Sequence, residues 1–144
     1  MYADIEIKIS EPFVSFTETV SDASSVKCFG ETPNKKNQLS FVAEPLEKGI
    51  SEDVEKGLLK MENAKSYLVD KYGWDKLTAY SVWAFGPNKI GPNMIIDYSI
   101  GSETDKKALS SCRDSIVQGF QWASREGPLC EEPMRNTKFK ILSA

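Results

Sequence analysis

The sequence contains no histidine, and this absence removes several kinds of catalytic site. Ser-His-Asp and Cys-His catalysis, histidine-ligated zinc and histidine proton shuttles all need an imidazole. Cysteine is also scarce: Cys28, Cys112 and Cys130 are widely spaced and form no C-x-x-C pair. That spacing excludes a zinc ribbon and a thioredoxin-type redox centre. An odd number of distant cysteines suits a reducing compartment better than a disulfide framework.

Other missing patterns narrow the class of protein further. Neither common phosphate-binding motif, G-x-x-x-x-G-K-[ST] or G-x-G-x-x-G, occurs in the 144 residues. No apolar run approaches the roughly 20 residues that a membrane-spanning helix needs, and no signal peptide opens the chain, so we expect no membrane partner. The net charge of −3 is the opposite of what a duplex-wrapping protein usually carries. The length and composition predict one intracellular globular domain.

Hydrophobic periodicity predicts an α+β domain, with helices packed on one face of a sheet. The predicted strands cover residues 4–9, 13–20, 25–32, 38–46, 82–85, 94–100 and 137–142. The predicted helices cover residues 51–72, 74–80 and 102–126. Ser51 and Ser102 are the expected N-caps of the first and last helices, and Gly57 predicts a bend or break in the first.

Two features are candidates for contact with a partner. Lys35 and Lys36 lie in the polar connection 32–37 between two predicted strands, where positive charge could meet an RNA phosphate or an acidic protein. The alternative is a solvated turn whose lysines serve solubility. Trp122 lies off the apolar stripe of its predicted helix. It either fills a second contact layer or packs against another domain.

Other conspicuous residues favour structural interpretations. The loop 86–93 is rich in glycine, but its two prolines remove N–H donors that a phosphate cradle would need. Glu131 and Glu132 are adjacent loop carboxylates with no environment to separate their pKa values, which predicts solvated acids. Cys112, on the apolar helix face, is expected to be an inert core thiol, and Trp83 a core residue. We predict no catalytic, cofactor-binding or metal site in this chain.

Short motifs in a specific order run along nearly the whole chain. They are EPFVSFTETV at 11–20, TPNK at 32–35, WAFGP at 83–87, GFQWA at 119–123 and EGPLCEE at 126–132. In these motifs the chain resembles domain IV of the elongation factor G and elongation factor 2 family. Further stretches resemble the spliceosomal members of that family, the elongation-factor-2-like GTPases of the U5 small nuclear ribonucleoprotein; they are VKCF at 26–29, AEPLEKG at 43–49 and RNTKFKIL at 135–142.

The resemblance implies a fold, a set of boundaries and the absence of nucleotide chemistry from this chain. The implied fold is a sandwich like domain 2 of ribosomal protein S5, with a mixed sheet and helices on one face. Residues 1–10 would be the end of a preceding domain or a linker strand, and residues 11–144 a domain IV-like fragment that continues beyond the chain. GTP and magnesium would be bound by an upstream domain of the longer protein. An exposed apolar patch is expected where later segments pack, with weak self-association.

The resemblance also implies a function. The first hypothesis is a non-catalytic domain of a nuclear, GTP-regulated factor that remodels ribonucleoprotein contacts in pre-mRNA splicing. Its implied partners are the large U5 scaffold protein, a spliceosomal helicase and U5 small nuclear RNA. The alternative is domain IV of translation elongation factor 2, which acts in ribosomal translocation. A small independent enzyme using carboxylates or Cys112 is a third hypothesis, disfavoured by the missing histidine and motifs.

Overall fold

The computed structural model describes residues 16–144, in which the sequence forms five strands and five helices. Strands β1 to β5 cover Cys28–Glu31, Gln38–Pro45, Val82–Gly86, Asn93–Asp97 and Thr137–Ser143. Helices α1 to α5 cover Ile50–Glu55, Ala64–Tyr72, Lys76–Tyr80, Lys106–Ser111 and Arg113–Arg125. The strand predicted over 4–9 lies outside the described residues. The described part of the run predicted over 13–20 forms only an isolated bridge, between Glu18 and Met134.

The five strands form one mixed sheet in the order β1-β2-β5-β4-β3. Neighbouring strands pair antiparallel except β4 and β5, which are parallel. A parallel pair needs a long crossover connection, and α4 and α5 supply it. The prediction of an α+β domain with a mixed sheet is therefore confirmed.

Helices cover both faces of this sheet. Successive side chains of a strand point to opposite faces, so neighbouring residues of β4 pack against different helices. Met94 and Ile96 of β4 pack with apolar residues of α1, α2 and α3, whereas Ile95 packs with Phe120 of α5. The prediction that the helices lie on one face of the sheet is therefore wrong. Helix α5 lies on one face and α1 to α3 lie on the other. A helical apolar period shows which side of a helix is buried. It does not show which face of the sheet receives that side.

The part of the sheet that α1 to α3 leave uncovered carries an ion-pair network instead of apolar side chains. Lys138 is only 8% exposed and pairs with Glu47 at 2.6 Å. Lys140 pairs with Glu44 at 2.8 Å. The predicted alternation of Phe139 and Ile141 against these lysines is confirmed. The ammonium groups also lie over aromatic rings, Lys138 Nζ 5.4 Å from the centre of the Trp74 ring and Lys140 Nζ 4.8 Å from that of Tyr98. Acidic side chains and aromatic rings therefore lie against the lysines on this face of β5.

The helical pattern after Gly49 breaks at Gly57, as predicted. Helix α1 ends at Glu55, and Gly57 has a φ of 73° that favours glycine. The prediction of Ser51 as the N-cap is wrong. Gly49, with a φ of 98°, occupies that position, and Ser51 is buried in the first turn. The Ser51 hydroxyl donates to Asn136 Oδ1 at 2.8 Å, a partner too distant in sequence for a local pattern to reveal.

A buried carboxylate ties α1 to α2. Asp53 accepts hydrogen bonds from Lys71 Nζ at 2.7 Å, from the Tyr67 hydroxyl at 3.1 Å and from the Tyr72 hydroxyl. The Lys71 bond, then that of Tyr72, holds the pKa of Asp53 below its ordinary value. Burial, with the neighbouring carboxylate, raises the pKa of Tyr72 to about 12. The negative charge of Asp53 is therefore part of the folded state.

The long helix predicted over 102–126 consists of α4 and α5, which meet at Cys112. Ser102 is not its N-cap. Asp105 caps α4 by accepting from the N–H groups of Lys107 and Ala108, at 2.9 and 3.3 Å. The prediction of Cys112 as a core thiol is also wrong, because its side chain is exposed. Trp83 is half-buried against the α5 cluster rather than fully in the core.

Candidate partner-contact surface

An open apolar groove lies between the α4–α5 pair and the β1–β2 side of the sheet. Its volume is about 870 Å³, and its lining includes Leu39, Phe41, Ala108, Cys112, Ile116 and Phe139. Strands supply its floor and the two helices supply one wall. The groove matches the exposed apolar patch expected from the family resemblance.

The groove exists because only part of the apolar face of the last predicted helix packs against the sheet, while the rest of that face is exposed. Leu109 and Phe120 are buried against the sheet. Ala108, Cys112 and Ala123 belong to the same predicted stripe, yet they are exposed and line the groove. The sequence pattern identified the apolar face, but only the fold shows that part of it has no neighbour among the described residues.

The candidate lysines lie at the tip of the β1–β2 hairpin, in a turn ordered by its own hydrogen bonds. Thr32 N–H donates to Asn37 O at 3.0 Å, and Lys35 N–H donates to Thr32 O at 2.8 Å. Lys36 N–H donates to Asn34 Oδ1 at 3.1 Å. Lys35 has a φ of 57°, where asparagine or glycine is less strained. The turn therefore presents two exposed lysines, although the backbone at residue 35 would favour asparagine or glycine.

One of these lysines borders the groove. Lys36 and Asn37 line its lip on the hairpin side, and Asp105 lines it at the start of α4. Ala144, at the end of β5, also lines the groove, and its N–H donates to Thr104 Oγ1 at 3.3 Å. Positive charge, negative charge and an apolar floor are thus combined at one surface.

Trp122 lies on the other side of the α5 wall and is 63% exposed. Its Nε1 donates to Glu126 Oε2 at 3.0 Å, which orients the indole along the helix. It lines a shallow depression of about 550 Å³ together with Ser115, Gly119 and Arg125. Ser115 and Gly119 also line the groove, so the two depressions share a ridge of small residues. Trp122 therefore does not fill a second contact layer within residues 16–144, which was one of its two alternatives.

The remaining candidates have structural surroundings. The loop 86–93 is held by Gln121, whose Nε2 donates to Phe85 O at 2.7 Å and whose Oε1 accepts from Lys89 N–H at 3.0 Å. Among residues 16–144, no three His, Cys, Asp or Glu side chains come together as a metal site. Glu131 is exposed, and the Glu132 N–H donates to Glu18. Sequence reasoning missed Glu18 and Asn93, whose partners are far away along the chain.

No helix in the described part of the chain has the length and apolar character needed to cross a membrane.

Comparison with known proteins gives a consistent result along the chain. The family model described as "Elongation factor G, domain IV" matches residues 58–144. The chain is 51% identical over its whole length to the 110 kDa U5 small nuclear ribonucleoprotein component CLO of Arabidopsis thaliana, and 51% identical to the 109 kDa component GFL of the same plant. It is 45% identical, over 99% of its length, to the pre-mRNA-splicing factor cwf10 of Schizosaccharomyces pombe. The chain spans about 15% of the length of each of these relatives.

Proposed function

Because this chain belongs to the elongation factor G domain IV family, we propose that it is a non-catalytic domain of a GTP-regulated spliceosomal factor. In this proposal the longer protein is a nuclear component of the U5 particle and remodels ribonucleoprotein contacts in pre-mRNA splicing. The observation that carries it is the identity of about half of all residues with relatives named as a U5 component and a pre-mRNA-splicing factor.

The nucleotide chemistry belongs to another part of the longer protein in this proposal. GTP and magnesium would be held upstream, since this chain contains neither common phosphate-binding motif. The partners of the longer protein would be the large U5 scaffold protein, a spliceosomal helicase and U5 small nuclear RNA. This domain would act as an arm that carries nucleotide-dependent movements to those neighbours.

The packing of the sheet supports a rigid arm. Met94, Ile95 and Ile96 are each at most 1% exposed, because helices cover both faces of strand β4. Side chains locked between two helical layers have little freedom, so the domain would transmit a displacement as one body.

The groove and the hairpin tip are the surfaces that we propose for contacts. The net charge of −3 favours protein over phosphate contacts for most of the surface, and Lys35 and Lys36 are the exception. We propose that the segment following residue 144 in the longer protein covers the groove. Ala144 lines the groove, and the relatives are much longer than this chain, which supports that assignment.

The first experiment is to tag the longer protein in its own cells and to sequence the RNA that co-purifies with it. Enrichment of U5 small nuclear RNA is the expected result. Enrichment of ribosomal RNA instead would overturn the proposal in favour of a translational elongation factor.

A charge reversal then tests the hairpin tip. Replacing Lys35 and Lys36 with glutamate should lower the recovery of U5 RNA severalfold, because a phosphate or acidic contact is lost. The matched control reverses Lys56 and Lys60, two exposed lysines on the α1–α2 connection, and should leave the recovery unchanged. Equal recovery with both double variants would show that the tip is only a solvated turn.

A further inference from the structure

The carboxylate of Glu18 is enclosed by backbone N–H groups of the loop that follows α5. Leu129 and Cys130 donate to its Oε1 at 2.7 and 3.3 Å, and Glu132 donates to its Oε2 at 3.1 Å. The loop is closed on itself by Gly127 N–H, which donates to Glu132 O at 2.8 Å. Convergent backbone N–H groups form an anion-binding concavity, and here a side chain from the opposite end of the chain fills it.

The backbone of Glu18 is fastened at the same place. Its N–H donates to Pro133 O at 2.9 Å, and its carbonyl accepts from Arg135 N–H at 2.8 Å. Glu18 is therefore held through both its side chain and its main chain. The charged bonds are the stronger part, since hydrogen bonds to an ionised acceptor exceed neutral ones.

Gly127 makes room for this arrangement. A Cβ atom at residue 127 would clash with the Glu18 carboxylate and would lie 2.9 Å from Glu132 O. Glycine at residue 127 therefore does more than end α5, because it leaves space for the Glu18 carboxylate. Glu18 and Gly127 form a matched pair although they are separated by most of the chain.

The segment next to Glu18 contacts both helical layers. Met134 N–H donates to Ser124 O of α5 at 2.7 Å. Arg135 Nε donates to Glu55 of α1 at 2.7 Å, and this bond holds the pKa of Glu55 below its ordinary value. Asn136 accepts from the Ser51 hydroxyl of α1. Residues 134–136 therefore join α1 on one face of the sheet to α5 on the other.

We propose that Glu18 is a latch that couples residues 16–20 to α1 and α5 through residues 127–136. When the latch is closed, a displacement of the backbone at Glu18 passes to both helical layers through hydrogen bonds. When it opens, residues 16–20 and the helices move independently. This coupling does not depend on which molecule the longer protein binds.

The first test compares amide hydrogen exchange in Glu18→Ala with that in the unmodified chain. We expect exchange at Leu129, Cys130 and Glu132 to rise about tenfold or more, since each loses a charge-assisted hydrogen bond. We also expect faster exchange in α1 and at the end of α5. The matched control, Glu103→Ala, removes an exposed carboxylate elsewhere in the chain and should change none of these sites. Faster exchange confined to residues 129–132 would overturn the coupling and leave Glu18 as a local cap.

The second test is a double-mutant cycle. Gly127→Ala should lower the urea midpoint in the unmodified chain more than in Glu18→Ala, because the clashing carboxylate is absent there. If the two substitutions lower the urea midpoint additively, Glu18 and Gly127 are not a matched pair. If Glu18→Ala does not fold, Glu18→Gln serves instead. Its amide NH₂ would face the Glu132 N–H, so exchange should rise at Glu132 more than at Leu129. Equal or no change at both residues would contradict the geometry.

Discussion

Replacement of Asn93 by alanine is expected to be among the most damaging single changes in this chain. Asn93 is 0% exposed and is the first residue of β4. Its Nδ2 donates to Gly86 O at 2.9 Å and to Met134 O at 2.6 Å, and its Oδ1 accepts from Thr137 N–H at 3.2 Å. One side chain thus joins β3, β4, β5 and the segment that follows α5.

The magnitude follows from the groups that Asn93→Ala would leave without partners. Two carbonyls and one N–H would remain buried, and each buried orphan costs about 1–3 kcal/mol. Three such groups would cost about 3–9 kcal/mol in a rigid structure. Relaxation and a water molecule in the vacated space reduce this, so we expect a loss of about 3–5 kcal/mol. Domains of this kind have only about 5–15 kcal/mol of stability in total.

The assay is urea unfolding followed by both circular dichroism and tryptophan fluorescence. The midpoint should fall while the slope stays constant, because the surface exposed on unfolding is unchanged. Asn37→Ala, at an exposed position near the hairpin tip, is the matched control and should change stability by less than about 0.5 kcal/mol. A loss below about 1 kcal/mol for Asn93→Ala would refute the reasoning, because the three groups must then have found other partners.

Three further outcomes are expected. Asp53 has a depressed pKa in the folded state, so its contribution is complete above the ordinary carboxyl pKa of about 4 and is lost as the pH falls below it. Urea midpoints between about pH 2 and 6 should therefore fall more in the unmodified chain than in Asp53→Asn; parallel profiles would contradict this. Gly86→Ala would place a Cβ 2.8 Å from the Phe120 ring and should cost about 1–3 kcal/mol in urea unfolding; an unchanged midpoint would show that the ring moves freely. The isolated chain should self-associate weakly in sedimentation through its groove, and Ala108→Lys in the groove should reduce this while Ser110→Lys outside it should not; a strict monomer at high concentration would count against the groove.

Elements with strong local patterns were predicted well from the sequence. The strand over 38–46 is β2 (Gln38–Pro45), and the last strand, predicted over 137–142, is β5 (Thr137–Ser143). The break at Gly57 is also present. Alternation and helical periodicity arise from residues within about one turn or one strand of each other, so a window of sequence contains the whole signal.

The candidate site was predicted less completely. Lys35 and Lys36 were placed correctly in a hairpin turn, but the position of Lys36 on the lip of an apolar groove depends on where α4 packs. Cys112 was assigned to the core because its helix face is apolar. It is exposed because nothing among residues 16–144 covers that part of the face.

By itself the sequence determined the positions of β1 to β5 and of the helical regions between them, the absence of histidine chemistry and the family to which the chain belongs. Only the tertiary structure decided that helices cover both faces of the sheet, that Asn93 is buried with three partners, and that Glu18 fits the space left by Gly127. The physical reason is distance along the chain. Periodicity reports neighbours within a few residues, whereas these contacts join residues tens of positions apart and form only when the layers of the domain have packed together.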